Sequence, residues 1–404
     1  LLASSAASDV YKRQVYTLIN LYILMRILGW ISYLSKSLNK KYIKIGVVIL
    51  YTICYLSPIV GYLLPISNFQ KNIQEFANSF MGVLIYMLMV TSISDIIKLI
   101  LFKIFKLKND RQKMKQFFYV VGIIATIVVV GTSIYGLIHA RNITVRNYNV
   151  KISKSIESEK KDLKIALIAD LHLGYNIGYK MMEQMVEKIN NQNVDLVLIA
   201  GDIFDNSSVT VDDIEKCQKA LSKLNSTDGV YAVFGNHDVE ERLFCGFSVQ
   251  STDSDYRNEE MEDMLKSAGI RILDDEVTLI KDSLYIVGRK DAEKSGFGAE
   301  ERKELTTLME NVDKSKTVIV LEHEPMNLEE ISDQGVDLHL SGHTHAGQFF
   351  PLTIGTSMKW LNSYGMKQVG KMTSVVTSGI GVYGPNIRIG TNSEISIVNI
   401  QFDE

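Results

Sequence analysis

Cysteine is scarce in this chain of 404 residues: Cys54, Cys217 and Cys245 stand far apart, and no Cys-x-x-Cys pair occurs. An odd, dispersed set excludes a zinc knuckle, a dithiol redox site and a closed disulfide framework, so buried, inert thiols are expected. Charge of one sign is lacking too. The formal net charge is −3, and no basic stretch is interleaved with aromatics as in a strand-binding groove, so no nucleic-acid partner is expected. Internal repeats and low-complexity tracts are absent. The opening Leu1–Gln14 has no initiator Met, and no charged region followed by an apolar core, as a signal peptide needs. Residues 1–14 are therefore read as fragment-end or non-native sequence outside the fold.

What is present divides sharply near residue 140. Before it Leu, Ile, Val, Tyr and Met dominate, and Val15–Leu34, Ile45–Ile66, Phe80–Phe102 and Phe117–Ala140 each approach the roughly 20 residues that cross a bilayer. Helices of a large soluble core normally carry a polar face, which Ile123–Val130 lacks, so residues 15–140 are expected to form four transmembrane helices. Lys36, Lys40, Lys41 and Lys44 fill the first loop, and Lys103, Lys106, Lys108, Arg111, Lys113 and Lys115 the third, whereas Lys71 is the lone basic residue of the second. The positive-inside rule then makes the first and third loops cytoplasmic, which puts everything after Ala140 outside the cytoplasm, on a multi-pass cell-membrane protein. Ionisable residues within the spans are few: Arg26, Asp95 and Lys98. Arg26 and Lys98 are expected to snorkel toward the interface, with an Arg26–Asp95 pair as the alternative.

Residues 141–404 have the charge density of a soluble domain. A strand is expected through Ile143, Val145, Val150 and Ile152, followed by an exposed loop. Apolar runs then alternate with amphipathic helices: Lys164–Ala169, a helix near Tyr179–Asn190 with Met182, Met185, Val186 and Ile189 on one face, Val194–Ile199, and a helix near Asp212–Leu224 with Ile214, Cys217, Leu221 and Leu224 as its stripe. Val230–Phe234, Leu284–Val287, Thr317–Leu321 and Val336–Leu340 continue the series as short buried strands.

Five segments end such runs with side chains suited to metals: Asp170-Leu-His172, Gly201-Asp202-Ile-Phe-Asp205, Gly235-Asn236-His237-Asp238, His323, and Gly342-His343-Thr-His345. Any one alone is most often a solvated turn or a helix cap. Five at the same place relative to a strand converge on one rim of a sheet, where α/β folds put their sites.

With these motifs the chain resembles the calcineurin-like metallophosphoesterase superfamily, and within it the bacterial membrane-associated YkuE-type and YaeI-type phosphoesterases. Val287-Gly-Arg-Lys-Asp291, Gly342–Gln348 and the closing Ser378–Arg388 are further family-like features, and the resemblance runs from about Asn142 to the end. It implies an α/β fold, a four-layer α-β-β-α sandwich, with one metal held by Asp170, His172, Asp202 and His345 and the other by Asp202, Asn236, His323 and His343. Asp202 would bridge two divalent transition metal ions, for which mixed imidazole and oxygen ligands suit Mn, Fe, Zn or Co better than Ca or Mg. The pair would make a shared water acidic enough to attack phosphorus in line as hydroxide. His237 would contact the phosphate or protonate the leaving oxygen, with Asp238 orienting its ring. Asp205 would cap a helix or support the site through hydrogen bonds, and Asp291 and Glu322 are taken as surface or supporting groups.

The implied activity is hydrolysis of a phosphomonoester, phosphodiester or pyrophosphate by a membrane-tethered enzyme, with a lipid-linked or cell-envelope substrate suggested by the bilayer. Substrate identity is expected to lie in Val239–Glu260, rich in Ser, Asp and Glu, and in Phe349–Lys371. A catalytically silent receptor for a phosphorylated ligand is the alternative, disfavoured by the intact ligand set. A transporter is disfavoured by the scarcity of polar groups in the spans.

Overall fold

The structure is a computed structural model that describes residues 2–105, 111–154, 162–205, 210–211, 213–239, 242–244, 247–249, 259–292, 294 and 301–403. Most of the stretch 239–260 lies outside these residues, as do Lys106, Lys108 and Cys245. The chain divides into two compact units, Leu1–Pro65 with Asn72–Gly136, and Ile66–Lys71 with Leu137–Glu404.

The first unit is built from α1 (Leu2–Leu34), α2 (Lys41–Leu63), α3 (Asn68–Phe105) and α4 (Arg111–His139). α1 starts at Leu2, so the opening residues continue the first apolar helix. All four helices are long and apolar enough to cross a membrane, and only 11–22% of their most apolar windows is buried within the protein. Their hydrophobic surface therefore points outward, as on α2, where Ile45, Ile49, Ile53, Leu56 and Val60 form an exposed stripe. Ile23, Tyr51, Phe80 and Leu84 make a small core between helices. Arg26 does not merely snorkel. Its guanidinium forms an ion pair with Asp95, whose Oδ2 also accepts from the Tyr22 hydroxyl at 2.7 Å, so two donors from α1 satisfy the one carboxylate of α3. Lys98 instead lies over the Phe118 ring, 5.0 Å from its centroid.

The second unit contains two six-stranded sheets. Its elements in chain order are β1 (Ile143–Ile152), β2 (Asp162–Ile168), α5 (Tyr179–Asn190), β3 (Leu196–Ala200), α6 (Ile214–Leu221), β4 (Val230–Val233), β5 (Arg242–Phe244), β6 (Phe247–Val249), α7 (Glu259–Ser267), β7 (Arg271–Ile272), β8 (Glu276–Ile280), β9 (Leu284–Gly288), α8 (Leu305–Leu308), β10 (Thr317–Leu321), α9 (Leu328–Asp333), β11 (Leu338–Ser341), α10 (Leu352–Lys359), β12 (Gly365–Val369), β13 (Met372–Val376) and β14 (Ser393–Phe402). One sheet has the order β1-β14-β2-β3-β4-β7 and the other β12-β13-β11-β10-β9-β8, with β5 and β6 forming a separate hairpin. The central strands β2, β3 and β4 run parallel, as do β9, β10, β11 and β13.

Side-chain alternation on unbroken apolar strands explains the layering. On β3, Leu196, Leu198 and Ala200 enter the core between the sheets, whereas Val197 and Ile199 face a second core shared with Met182, Met185, Val186 and Ile189 of α5 and Cys217 and Leu221 of α6. On β10, Ile319 and Leu321 join the inter-sheet core, while Val318 and Val320 meet Leu305 of α8 and Leu328 and Ile331 of α9. Three cores between four layers make the α-β-β-α sandwich, and a strand buried on both faces has to read as a continuous apolar run. The Cys217 thiol is fully buried and that of Cys54 half-buried.

Candidate metal centre

The candidate residues follow the carboxyl ends of the parallel strands. Asp170 and His172 leave β2, Asp202 leaves β3, Asn236 leaves β4, His323 leaves β10, and His343 and His345 leave β11. Side chains that must turn back over a strand end need sharp backbone turns, and Asp170, His172, Asp202, His343 and His345 all have φ between 47° and 69°. For residues with a Cβ this left-handed region is costly and is kept where the surroundings enforce it, commonly at functional sites. Two glycines permit the close approach. A Cβ on Gly201 (φ 77°) would stand 2.7 Å from both the Gly235 nitrogen and His323 Nδ1, and one on Gly379 (φ 76°) would stand 2.6 Å from Asp170 Cβ.

All seven expected ligands come together in two groups. In one, His172 Nε2 lies 3.0 Å from His345 Nε2, His345 Nε2 lies 3.6 Å from Asp170 Oδ1, and His172 Nε2 lies 3.7 Å from Asp202 Oδ2. In the other, His323 Nε2 is 3.1 Å from Asn236 Oδ1, 3.2 Å from Asp202 Oδ2 and 3.2 Å from His343 Nδ1, while His343 Nδ1 is 3.2 Å from Asn236 Oδ1. Asp202 Oδ2 thus faces both groups. His323 Nδ1 donates to the Ala200 carbonyl at 2.8 Å, which fixes the ring and leaves Nε2 turned to the cluster, the usual arrangement of a ligating imidazole.

The electrostatics fit cations. Burial works against the proton on His323, but Asp202 and Asp170 outweigh it and hold its pKa well above the usual value. Burial opposes a charged His172 as well, and Asp205, Asp202 and Asp170 nevertheless raise it. Their partners go the other way: burial first, then the neighbouring histidine, pushes His343 down to about 3 and His345 well below its ordinary value. Burial lifts Asp170 to about 6, whereas Asp202, with His323 and His237 outweighing burial, sits well below the usual carboxylate range. In each group the buried carboxylates thus favour positive charge where ligand atoms converge, and a divalent cation bound there would take the place of any proton on these rings. The donor set of imidazole, carboxylate and amide oxygen suits a transition metal.

The residues around the ligands depart in part from expectation. Asp238 does not orient the His237 ring. Its Oδ1 accepts the Ile203 and Phe204 amides at 2.8 Å each, and its Oδ2 accepts the Gly235 amide at 2.7 Å. With three amides on its oxygens, Asp238 ties the Asp202 loop to the Asn236 loop. The His237 amide donates to Asp202 Oδ1 at 2.8 Å, its ring lies 4.4 Å from that of Tyr383, and its buried Nδ1 has no hydrogen-bond partner among the described residues. Desolvation, the leading cause, lowers its pKa to about 3.

Asp205 Oδ1 faces His172 Nδ1 at 3.5 Å, and among the described residues neither atom has another hydrogen-bond partner, so Asp205 supports His172. Asp291 and Glu322 are buried, contrary to a surface role. Glu322 pairs with Arg289 at 2.9 Å, with Arg302, and with His339 Nε2 at 3.0 Å.

Sequence reasoning missed three neighbours. Glu324 Oε1 stands 3.8 Å from His343 Nε2, and Tyr383 walls the site beside His237. Arg388, fully buried, donates to the carbonyls of Ser378 and Gly381 at 2.7 Å each and lies 3.3 Å from His345 Nδ1. It thereby clamps the Gly379 turn against Asp170. The signal was a charged residue closing the Gly-rich Ser378–Arg388 run.

Residues 163–347 match the calcineurin-like phosphoesterase family. The chain is 29% identical over 311 residues to an uncharacterized metallophosphoesterase of Campylobacter jejuni, covering 76% of each. It is 30% identical over 289 residues to a transmembrane protein with metallophosphoesterase domain of Danio rerio, covering 68% of this chain and 61% of that protein. An uncharacterized metallophosphoesterase of Aquifex aeolicus is 29% identical over 267 residues, 64% of this chain and 94% of its own length. The chain thus spans about three fifths of the Danio rerio relative. The second unit is therefore a metallophosphoesterase domain, of the class of metal-dependent phosphoric ester hydrolases, and belongs to the calcineurin-like phosphoesterase family.

Proposed function

We propose that the chain is a membrane-tethered phosphoesterase using two divalent transition metal ions, Mn, Fe, Zn or Co, to hydrolyse a phosphomonoester, phosphodiester or pyrophosphate borne on a lipid or cell-envelope molecule. The observation that carries the reading is the pair of ligand groups meeting at Asp202 Oδ2, 3.2 Å from His323 Nε2 and 3.7 Å from His172 Nε2. Asp170, His172, Asp202 and His345 would hold one ion, and Asp202, Asn236, His323 and His343 the other. Bound together, such ions supply Lewis acidity toward the phosphoryl group and acidify a water. The seven ligands would hold the ions, and Arg388 and Asp238 keep the ligand loops from drifting. His237, neutral at pH 7, offers a ring N–H to a phosphoryl oxygen, which suits its lowered pKa better than protonating a leaving group. The test is a purified full-length chain assayed against mono-, di- and pyrophosphate esters, soluble and lipid-linked, with each divalent metal. No hydrolysis of any ester under any metal would refute the reading.

The lysine-rich first and third loops support a cytoplasmic location for both loops and an extracytoplasmic domain. Cysteine placed at the exposed Glu187 of α5 is expected to react with an impermeant thiol reagent in intact cells lacking the native cysteines, and cysteine at Ser37 in the first loop is expected not to. The reverse pattern would put the domain in the cytoplasm.

A further inference from the structure

Exposed apolar surface on the phosphoesterase unit is concentrated beside the metal centre. Among the described residues after Ala140, eight large hydrophobic side chains are exposed, and six of them, Phe350, Leu352, Ile354, Met358, Leu361 and Met366, fall between 350 and 366. A seventh, Met326, is exposed across an open cavity of about 450 Å³ that it lines together with Leu328, His343, Lys359, Trp360 and Leu361. α10 buries none of its residues, and Met358 is 82% exposed. A soluble surface rarely keeps so much apolar area in one place unless something covers it.

We propose that α10 and its flanks, residues 350–361, are a lipid-contact surface that dips into the bilayer interface and presents a lipid-borne phosphate ester to the His343 side of the metal centre. Three observations favour a lipid surface as the occupant. Segment 349–371 contains Lys359, Lys367 and Lys371 and no acidic residue, which complements anionic headgroups. Trp360, with the Lys359 ammonium 4.6 Å from its ring centroid, supplies the aromatic and cation found at membrane interfaces, beside apolar side chains that can enter the acyl boundary. The chain also carries four helices apolar enough to cross a membrane, and three residues join α4, ending at His139, to β1, starting at Ile143, so a bilayer is within reach of this unit. Trp360 connects the surface to the chemistry, because its ring meets that of His343 edge-on at 5.3 Å. An ester whose apolar part lies along Met326, Trp360 and Leu361 would have its phosphate at His343.

This inference deepens the function proposed above and rests on it for the substrate, but its test needs no turnover. The chain has two tryptophans, Trp30 and Trp360, so Trp30→Phe leaves Trp360 as sole reporter. The full-length variant is reconstituted in vesicles of phosphatidylcholine and phosphatidylglycerol, with or without lipids brominated near the top of the acyl chains. A side chain seated at the headgroup–acyl boundary should lose about half or more of its emission to the bromines. Adding Leu352→Asp and Met358→Asp should restore most of that emission. Equal emission in both vesicles, as would follow if a second copy or another segment of the chain covered α10, overturns the proposal. So does quenching that the double change leaves intact. Hydrolysis failing with every ester while Trp360 is still quenched would refute the proposed enzyme and leave the lipid contact standing.

Discussion

Asp202→Asn is expected to empty both halves of the metal centre and to lower phosphoester hydrolysis by roughly 10³-fold or more, a loss of ~4 kcal/mol of transition-state stabilisation. Asparagine matches the shape of the side chain and keeps an oxygen for the His237 amide, so the turn can survive. What disappears is the negative charge that holds the His323 imidazolium and faces His172. A buried carboxylate between two cations screens their repulsion, and a neutral amide cannot. His345→Ala is the contrast, since His345 belongs to one group only and its loss should leave the other ion in place. Metal content measured on the two purified variants separates the cases. Two ions retained in Asp202→Asn, with activity near wild type, would remove Asp202 from the bridging role.

For His237→Ala the expected outcome is a fall in kcat of roughly 10²–10³, the range for removing one donor to developing charge, with metal content unchanged. With its pKa pushed down to about 3, the ring would be neutral at pH 7 and, in the function proposed, would offer an N–H to phosphate. The loss should then be similar for esters with acidic and with basic leaving groups. A loss that grows with leaving-group basicity would instead identify His237 as the general acid.

Much of this was legible in the sequence because one physical signal recurs. Strands buried on both faces read as apolar runs, so β3, β4 and β10 and most of β2 stand out, β11 less so because it buries His339 and Ser341, and polar side chains at the strand ends mark the rim. The helix α5 was found to the residue because Met182, Met185, Val186 and Ile189 repeat at helical spacing. β12 gave a weaker signal, being an edge strand with exposed Met366, Lys367 and Gln368. In β14, Ser393, Glu394 and Ser396 are buried polar residues that hydrogen-bond instead of joining an apolar run. Asp238 was misread because adjacency to His237 suggested a ring contact, whereas the turn aims its carboxylate at three amides. Arg388 and Tyr383 act through contacts across more than 30 residues of chain, on His345 and His237, which no local pattern records. The Arg26–Asp95 pair was visible only as two charges in two long apolar segments, and the shared Tyr22 hydroxyl only in the structure.

The central claim is that hydrolysis depends on two metal ions meeting at Asp202. Its most direct test takes the full-length chain, strips it with chelator until metal is absent by elemental analysis, and titrates back Mn, with Zn, Fe and Co in parallel, while phosphate release is followed. The account predicts no turnover without metal and a plateau near about two equivalents per chain. Undiminished hydrolysis with metal confirmed absent, or full activity at one equivalent, would contradict it.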